Sequence, residues 1–135
     1  MAKRRVGILG YGKLGRHLSQ ALLQEDNQHE LAFVWNRSPH AIGSEIPLNM
    51  QLTDINNFQQ YSPDLIVEVA HPAVTKKWGP KLLSYCDVMA GSPTGFADIE
   101  TETSMRKASS THGLYIPRGA LPGLEEVLRM RDSGK

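Results

Sequence analysis

Residues 10–15 of this chain have the sequence G-Y-G-K-L-G, with three glycines in six positions. Gly10 would permit a tight turn, Gly12 would let the backbone approach a pyrophosphate, and Gly15 would let a helix pack on a strand. Free amides at the positive end of that helix would then face the phosphates. The alternative is a glycine-rich turn without a ligand. The pattern predicts a dinucleotide site that includes Gly10, Tyr11, Gly12, Lys13, Leu14 and Gly15.

The residues about twenty positions further on, where an Asp or Glu would bind the ribose of NAD, indicate which nucleotide is bound. They are Asn36, Arg37 and Ser38. A guanidinium can bind a 2′-phosphate through two charge-assisted hydrogen bonds, whereas an acid would repel it. We therefore predict a preference for NADP. NAD stays possible because Asn36 can bond to a ribose hydroxyl, and Arg37 has the alternative of an ordinary surface position.

Small or polar residues follow three other predicted strands, whose ends would line the rest of a ligand crevice. We expect cofactor contacts from the first two of these strand ends, at Ala70, His71 and Ser92. The third offers substrate-side candidates, namely Arg118, Gly119 and Ala120. Arg118 either binds an anionic carboxylate or lies on the surface. His71 precedes a proline, which favours a cofactor contact or a cap of the following turn over a general base, and no catalytic residue is assigned.

The elements that would position these residues begin with a strand, a glycine turn and a helix. An apolar run over 6–9 predicts the strand, and the spacing of Leu14, Leu18 and Leu22, with Ala21 on the same face, predicts the helix. A second apolar run over 31–35 completes a βαβ unit. The glycine pattern thus lies where a dinucleotide fingerprint belongs.

Apolar runs continue to alternate with helical spacing along the rest of the chain. Residues 38–53 show no period and predict a loop with a short strand near 50–52. The later predicted strands cover 65–70, 88–90 and 114–116. The first two later helices are one over 54–61, capped by Asp54, and one through Val74, Trp78 and Leu82, which Gly79-Pro80 should kink or split. A third helix runs from Asp98 through Ile99, Met105 and Ala108 until Gly113 can stop it, and a helical tail follows the last strand.

This alternation predicts an α/β fold with a doubly wound parallel sheet, Rossmann-like, because right-handed crossovers place helices on both faces. We assign residues 1–121 to an NAD(P)-binding domain. Residues 122–135 would start a helix that leads toward a second domain.

Composition excludes several classes of function. The chain has 135 residues and a formal net charge of +1, which fits one compact domain and argues against nucleic acid as a partner. No apolar run reaches the ~20 residues of a membrane span, so we expect a cytoplasmic protein with no membrane partner. The histidines are dispersed, without paired spacing, and predict no metal site.

Two smaller features are interpreted as structural, without a functional role. Cys86 is the single cysteine, which excludes an internal disulfide, and we expect it to fill the core beside Leu82 and Leu83. The basic run at 3–5 is expected to be a solvated lead-in to the first strand.

The chain resembles the cofactor-binding half of the L-aspartate dehydrogenase family, in particular the animal aspartate dehydrogenase domain-containing proteins. The stretches that carry this resemblance are "RVGILGYGKLG" at 5–15, "FVWNRSP" at 33–39, "PDLIVEVAHP" at 63–72, "AGSPTGFAD" at 90–98 and "RGALPGLE" at 118–125. The resemblance implies an NAD(P)-dependent oxidoreductase that converts L-aspartate to iminosuccinate, which hydrolyses to oxaloacetate and ammonia. It also implies a second domain, with the catalytic histidine and much of a homodimer contact, that this chain lacks.

Three functions therefore stay open. The chain is the cofactor-binding part of an aspartate dehydrogenase whose substrate is a small amino acid, or it is a non-catalytic NADP-binding module. The third alternative is a related two-domain oxidoreductase, of the homoserine dehydrogenase or dihydrodipicolinate reductase kind.

Overall fold

The computed structural model describes residues 3–24, 28–91, 99–108 and 112–115. Several predictions fall outside these residues, including the domain boundary at 121 and the helical tail. The individual residues concerned are Ser92, Asp98, Arg118, Gly119 and Ala120.

Strands and helices alternate along the described chain, as predicted. They are β1 (Arg4–Leu9), α1 (Lys13–Leu23), β2 (His29–Trp35), β3 (Leu65–Glu68), α2 (Pro72–Leu83), β4 (Asp87–Ala90), α3 (Ile99–Ala108) and β5 (Leu114–Tyr115). The continuously described stretch between β2 and β3 forms short 3-10 segments at Pro39–Ala41, Gly43–Glu45, Leu48–Met50 and Ile55–Tyr61.

The described strands form one parallel sheet in the order β2-β1-β3-β4-β5. The chain leaves β1 toward β2 on one side and later places β3 on the other side. Strand order therefore reverses between β1 and β3, and in open sheets ligands bind in the crevice outside the carboxyl ends of the strands at such a point.

Two apolar cores cover opposite faces of this sheet. On one face, Leu18 of α1 packs in a cluster with Val6 and Ile8 of β1. On the other face, Leu82 of α2 and Met105 of α3 belong to a second buried cluster. Helices thus lie on both faces, and the predicted doubly wound, Rossmann-like α/β fold is confirmed.

The inner face of α1 differs from the prediction. Leu18 and Leu22 are buried, but Leu14 is 38% exposed and Ala21 is also exposed. The buried stripe runs instead through Gly15, Leu18, Ser19 and Leu22. Gly15 lies directly against the turn at Gly10. This contact sets which face of α1 packs on the sheet, and Leu14 therefore faces outward.

Of the two outcomes predicted for the second long helix, a kink or a split, the split does not occur. One helix, α2, continues from Pro72 to Leu83 with Pro80 inside it. Pro80 lies near the C-terminal end, where its missing N–H removes a single helical hydrogen bond. Gly79 has a packing role, since a Cβ there would overlap the sulfur of Met105.

The stretch between β2 and β3 agrees with its interpretation as mostly loop. The expected strand near 50–52 is reduced to one parallel bridge between Val34 and Gln51. The predicted cap of the next helix is confirmed, because an Asp54 carboxylate oxygen accepts a 2.9 Å hydrogen bond from the Asn56 amide.

The basic run is not a solvated lead-in. Arg4 and Arg5 are the first residues of β1. Arg4 forms an ion pair of 2.8 Å with Asp87 of β4, and Arg5 forms one of 2.6 Å with Glu30 of β2. The two arginines therefore connect the first strand to other strands of the sheet.

Candidate nucleotide-binding site

The carboxyl ends of β1, β2 and β3 surround one cavity of about 710 Å³. Most of the predicted cofactor contacts line it, namely Gly10, Tyr11, Gly12, Asn36, Arg37, Ser38, Ala70 and His71. Lys13 and Leu14 do not; they line a neighbouring cavity beside α1. The crevice thus forms at the reversal of strand order.

Gly12 provides the observation that most directly indicates a ligand. A Cβ at this position would meet no atom of the described protein within 4 Å, and the backbone is extended with φ −79° and ψ −161°. Neither packing nor conformation of the described chain requires a glycine here. A close approach by something outside the chain, such as a pyrophosphate, does require one.

Gly10 and Gly15 are needed by the protein itself. Gly10 has a φ of +117°, and its Cβ would lie 2.8 Å from the backbone nitrogen of Ala70. A Cβ on Gly15 would overlap the carbonyl oxygen of Gly10. These contacts confirm the tight turn and the helix packing predicted for the two residues.

Asn36 holds the glycine loop. Its Oδ1 accepts a 2.9 Å hydrogen bond from the backbone amide of Tyr11, and its Nδ2 donates one of 3.0 Å to the carbonyl of Ser38. The predicted ribose contact would have to share this side chain with the protein's own loop.

Arg37 lies at the same strand end, exposed at the rim of the cavity. It forms no hydrogen bond or ion pair with any residue that the structure describes. A second cation, Lys77, lines the cavity from α2, with its Nζ 5.3 Å from the ring centroid of Trp78. The rim is therefore positively charged where the second strand ends, as recognition of a phosphate requires.

His71 caps α2, as one of its predicted alternatives states. Its Nδ1 accepts a 3.0 Å hydrogen bond from the amide of Ala73. This bond fixes Nδ1 as an acceptor and leaves Nε2 as the ring atom able to donate.

Glu68 is the residue of this site that sequence reasoning missed. It ends β3 with 1% of its surface exposed, and its carboxylate accepts hydrogen bonds from the amides of Ala70 and His71. The available signal was the single acid within the apolar run 65–70. An acid buried in a strand requires hydrogen-bond donors nearby, so its position indicates a polar contact at the strand end.

A second network lies beside the site, on the outer side of the glycine loop. The Glu45 carboxylate accepts hydrogen bonds from the Tyr11 hydroxyl at 3.0 Å and from Arg16 at 2.6 Å. Hydrogen bonding to Arg16, with a smaller effect from Tyr11, lowers the pKa of Glu45. Burial, followed by the Glu45 bond, raises the pKa of Tyr11.

Other chemistry finds little support in the part of the chain that the structure describes. No group of three or more His, Cys, Asp or Glu side chains there is arranged to hold a metal ion. Cys86 is buried, as predicted, and burial raises the pKa of its thiol to about 12. Every helix among the described residues falls short of the length and hydropathy needed to cross a membrane.

Comparison with known proteins identifies the family. Residues 10–117 match the model of the homoserine dehydrogenase NAD-binding domain, so the match covers the glycine loop, the crevice and most of the sheet. This chain belongs to that NAD-binding family. Membership supports a nicotinamide cofactor and an oxidoreductase class, without distinguishing NAD from NADP.

The aspartate dehydrogenase resemblance is also confirmed among relatives of this NAD-binding domain. An aspartate dehydrogenase domain-containing protein of Xenopus tropicalis is 40% identical over 136 residues, covering 98% of this chain and 48% of that protein. The chain thus spans about half the length of this curated relative.

Solved structures agree on the fold of the NAD-binding domain. Aspartate dehydrogenase from Thermotoga maritima has a TM-score of 0.64 at 20% identity, over 97% of this chain and 52% of that one. An engineered D-amino acid dehydrogenase bound to NADP+ has a TM-score of 0.66 at 16% identity, over 98% of this chain and 41% of that one.

Proposed function

We propose that this chain is the cofactor-binding part of an NADP-preferring dehydrogenase that acts on the CH–NH2 group of L-aspartate. A bound nicotinamide supplies the hydride acceptor for the Cα–N oxidation, and the iminosuccinate released hydrolyses to oxaloacetate and ammonia. The catalytic residues and the homodimer contact are proposed to lie in a second domain of the full-length protein.

The open space at Gly12, inside the crevice between β1 and β3, is the observation that carries this proposal. Amides at the start of α1 would bind the diphosphate, favoured by the positive end of the helix dipole. The turn at Gly10 and the loop at Ala70 touch each other, so they form a rigid floor for the ligand.

The preference for NADP is supported by Arg37. It is exposed at the rim of the cavity, and no acid occupies position 36, 37 or 38. The guanidinium would donate two hydrogen bonds to the 2′-phosphate, and the hydroxyl of Ser38 could add a neutral bond. One solved neighbour, a D-amino acid dehydrogenase, is bound to NADP+.

Aspartate as the substrate is supported by the names of the relatives. Both the Xenopus tropicalis relative and the Thermotoga maritima structure carry the name aspartate dehydrogenase. Ser92 and Ala70 are proposed as further cofactor contacts, and Arg118, Gly119 and Ala120 as the substrate side.

The test is a titration of NADPH and NADH against the chain and two variants. Arg37→Ala is expected to weaken NADPH binding by about tenfold or more while leaving NADH nearly unchanged, because one charge-assisted phosphate contact is lost. Arg106→Ala, an exposed arginine on α3, is the matched control and should bind both nucleotides as the unaltered chain does. An equal NADPH affinity in Arg37→Ala would remove the NADP assignment.

A non-catalytic nucleotide-binding module is the second candidate, and it accounts for a crevice in which His71 is not placed as a general base without requiring catalytic residues elsewhere. His71, a titratable ring at the crevice, uses Nδ1 to cap α2, so it lacks the orienting acceptor on that atom that a general base of this kind uses. Nucleotide binding by calorimetry together with no aspartate-dependent NADPH formation by the full-length protein would support this candidate over the dehydrogenase.

A further inference from the structure

Glu68 lies at the carboxyl end of the central strand β3, directly before the crevice-lining residues Val69, Ala70 and His71. Its Oε2 accepts hydrogen bonds of 2.7 Å from the Ala70 amide and 2.8 Å from the His71 amide. Its Oε1 accepts one of 2.7 Å from the hydroxyl of Thr75, which is itself 1% exposed. These three donors are neutral, and water barely reaches the carboxylate.

The peptide group between Glu68 and Val69 connects three strand ends. The carbonyl of Glu68 accepts a 2.7 Å bond from the amide of Gly91, which follows β4, and the amide of Val69 donates a 2.8 Å bond to the carbonyl of Leu9 in β1. Ala70, held by the carboxylate, in turn contacts Gly10. The glycine loop and the loop at 69–71 therefore keep their relative positions through Glu68.

The position of the Glu68 carboxylate relative to the two halves of a dinucleotide also matters. Arg37 at the end of β2 would take the adenosine half of a dinucleotide on one side of β1. The nicotinamide half would then extend toward β3 and β4, and Glu68 is buried at the end of β3. An oxidised nicotinamide ring carries a positive charge and a reduced ring carries none, so a fixed negative charge near it distinguishes the two.

We propose that Glu68 is a positioning residue of the nucleotide site, and that its buried carboxylate both holds the loop at 69–71 and favours oxidised over reduced nicotinamide. This inference rests on the nucleotide-binding role proposed above. It adds a determinant of redox-state preference that is separate from the phosphate contacts.

Glu68→Gln separates the charge from the hydrogen bonds. The glutamine oxygen can accept from both amides, and its NH2 can donate to the Thr75 hydroxyl, so the loop is retained while the charge is lost. We expect the ratio of the NADP+ to the NADPH dissociation constant to rise at least about threefold. The affinity for 2′-phospho-ADP-ribose, which lacks nicotinamide, should stay the same.

Two further variants keep the charge. Thr75→Val removes one donor and should lower the melting temperature without moving the ratio of dissociation constants. Glu68→Asp keeps the charge but withdraws the carboxylate by one methylene, so it should weaken both nucleotides and shift their ratio less than Glu68→Gln does. The Thr75→Val outcome is measurable whether or not Glu68→Gln folds.

The titrations are made on the full chain, with thermal melting of each variant in parallel. A ratio that stays constant in Glu68→Gln, or that shifts as far in Glu68→Asp as in Glu68→Gln, overturns the inference. If the unaltered chain binds neither nucleotide, the nucleotide-binding function itself is refuted. Binding of both nucleotides with an unchanged ratio in Glu68→Gln refutes the role of Glu68 alone.

Discussion

Replacing Gly12 by alanine should separate nucleotide binding from folding. A Cβ at position 12 meets no described atom within 4 Å, and its φ of −79° is accessible to any residue. Loss of unfolded-state freedom on Gly→Ala stabilises by about 0.4–1 kcal/mol. Alanine is a poorer N-cap than glycine, by about the same amount. The free energy of unfolding should therefore change by less than about 1 kcal/mol.

Gly15→Ala is the matched comparison, because the same methyl group there overlaps the Gly10 carbonyl. Overpacking of this kind costs about 1–3 kcal/mol. The melting temperature should fall by about 3–10 °C for a domain of this size. Binding also suffers in this variant, since α1 must move away from the turn that it supports.

The assay combines thermal melting with titration of NADPH followed by fluorescence. For Gly12→Ala we expect an unchanged melting temperature and a loss of affinity of about tenfold or more, since the methyl group would stand where we propose that the pyrophosphate approaches. NADPH affinity equal to that of the unaltered chain would refute the assignment of Gly12. A melting temperature as low as that of Gly15→Ala would refute the packing argument.

Two other predictions concern the core. Ser19 is fully buried on α1, and its hydroxyl has no hydrogen-bond partner among the described residues, so Ser19→Ala should stabilise the chain by about 1 kcal/mol in urea unfolding. Burial raises the pKa of Cys86 from its ordinary 9.0 to about 12, so its contribution to stability is complete below pH 9 and is lost as the pH rises toward 12. Melting temperatures measured between pH 8 and pH 11 should fall more steeply for the unaltered chain than for Cys86→Ala, and equal slopes would contradict this.

Much of the fold could be predicted because the strands are apolar and the helices are regular. The buried runs around Ile8, Phe33 and Val67 have no polar interruption except Glu68, which is typical of a parallel sheet covered on both faces. The rotation of α1 could not be predicted from spacing alone. It depends on Gly15 contacting Gly10 across the turn, which placed Ser19 inside and Leu14 outside.

The grouping of the candidate site residues at one cavity could be predicted for similar reasons, while their binding role stays a prediction. The glycine pattern and the residues 36–38 are local signals, and the structure brings most of them to one cavity. Glu45 was missed because it lies in a stretch without periodicity, and its bonds to Tyr11 and Arg16 cross 34 and 29 positions of sequence. Glu68 was missed because its donors come from the turn that follows it and from Thr75, one helical turn later.

The hydrogen bond between Asn36 and the Tyr11 amide bears on how the coenzyme preference could change. Because its Oδ1 restrains the Tyr11 amide, exchange to aspartate would retain that acceptor while introducing the acid that NAD enzymes use at this point. Arg37 and Ser38, both at the surface, can vary without disturbing the framework. Substitutions at this one strand end could therefore change the coenzyme preference, at the cost of the Asn36 bond to the Ser38 carbonyl, while the packing of the glycine loop at 10–15 stays as it is.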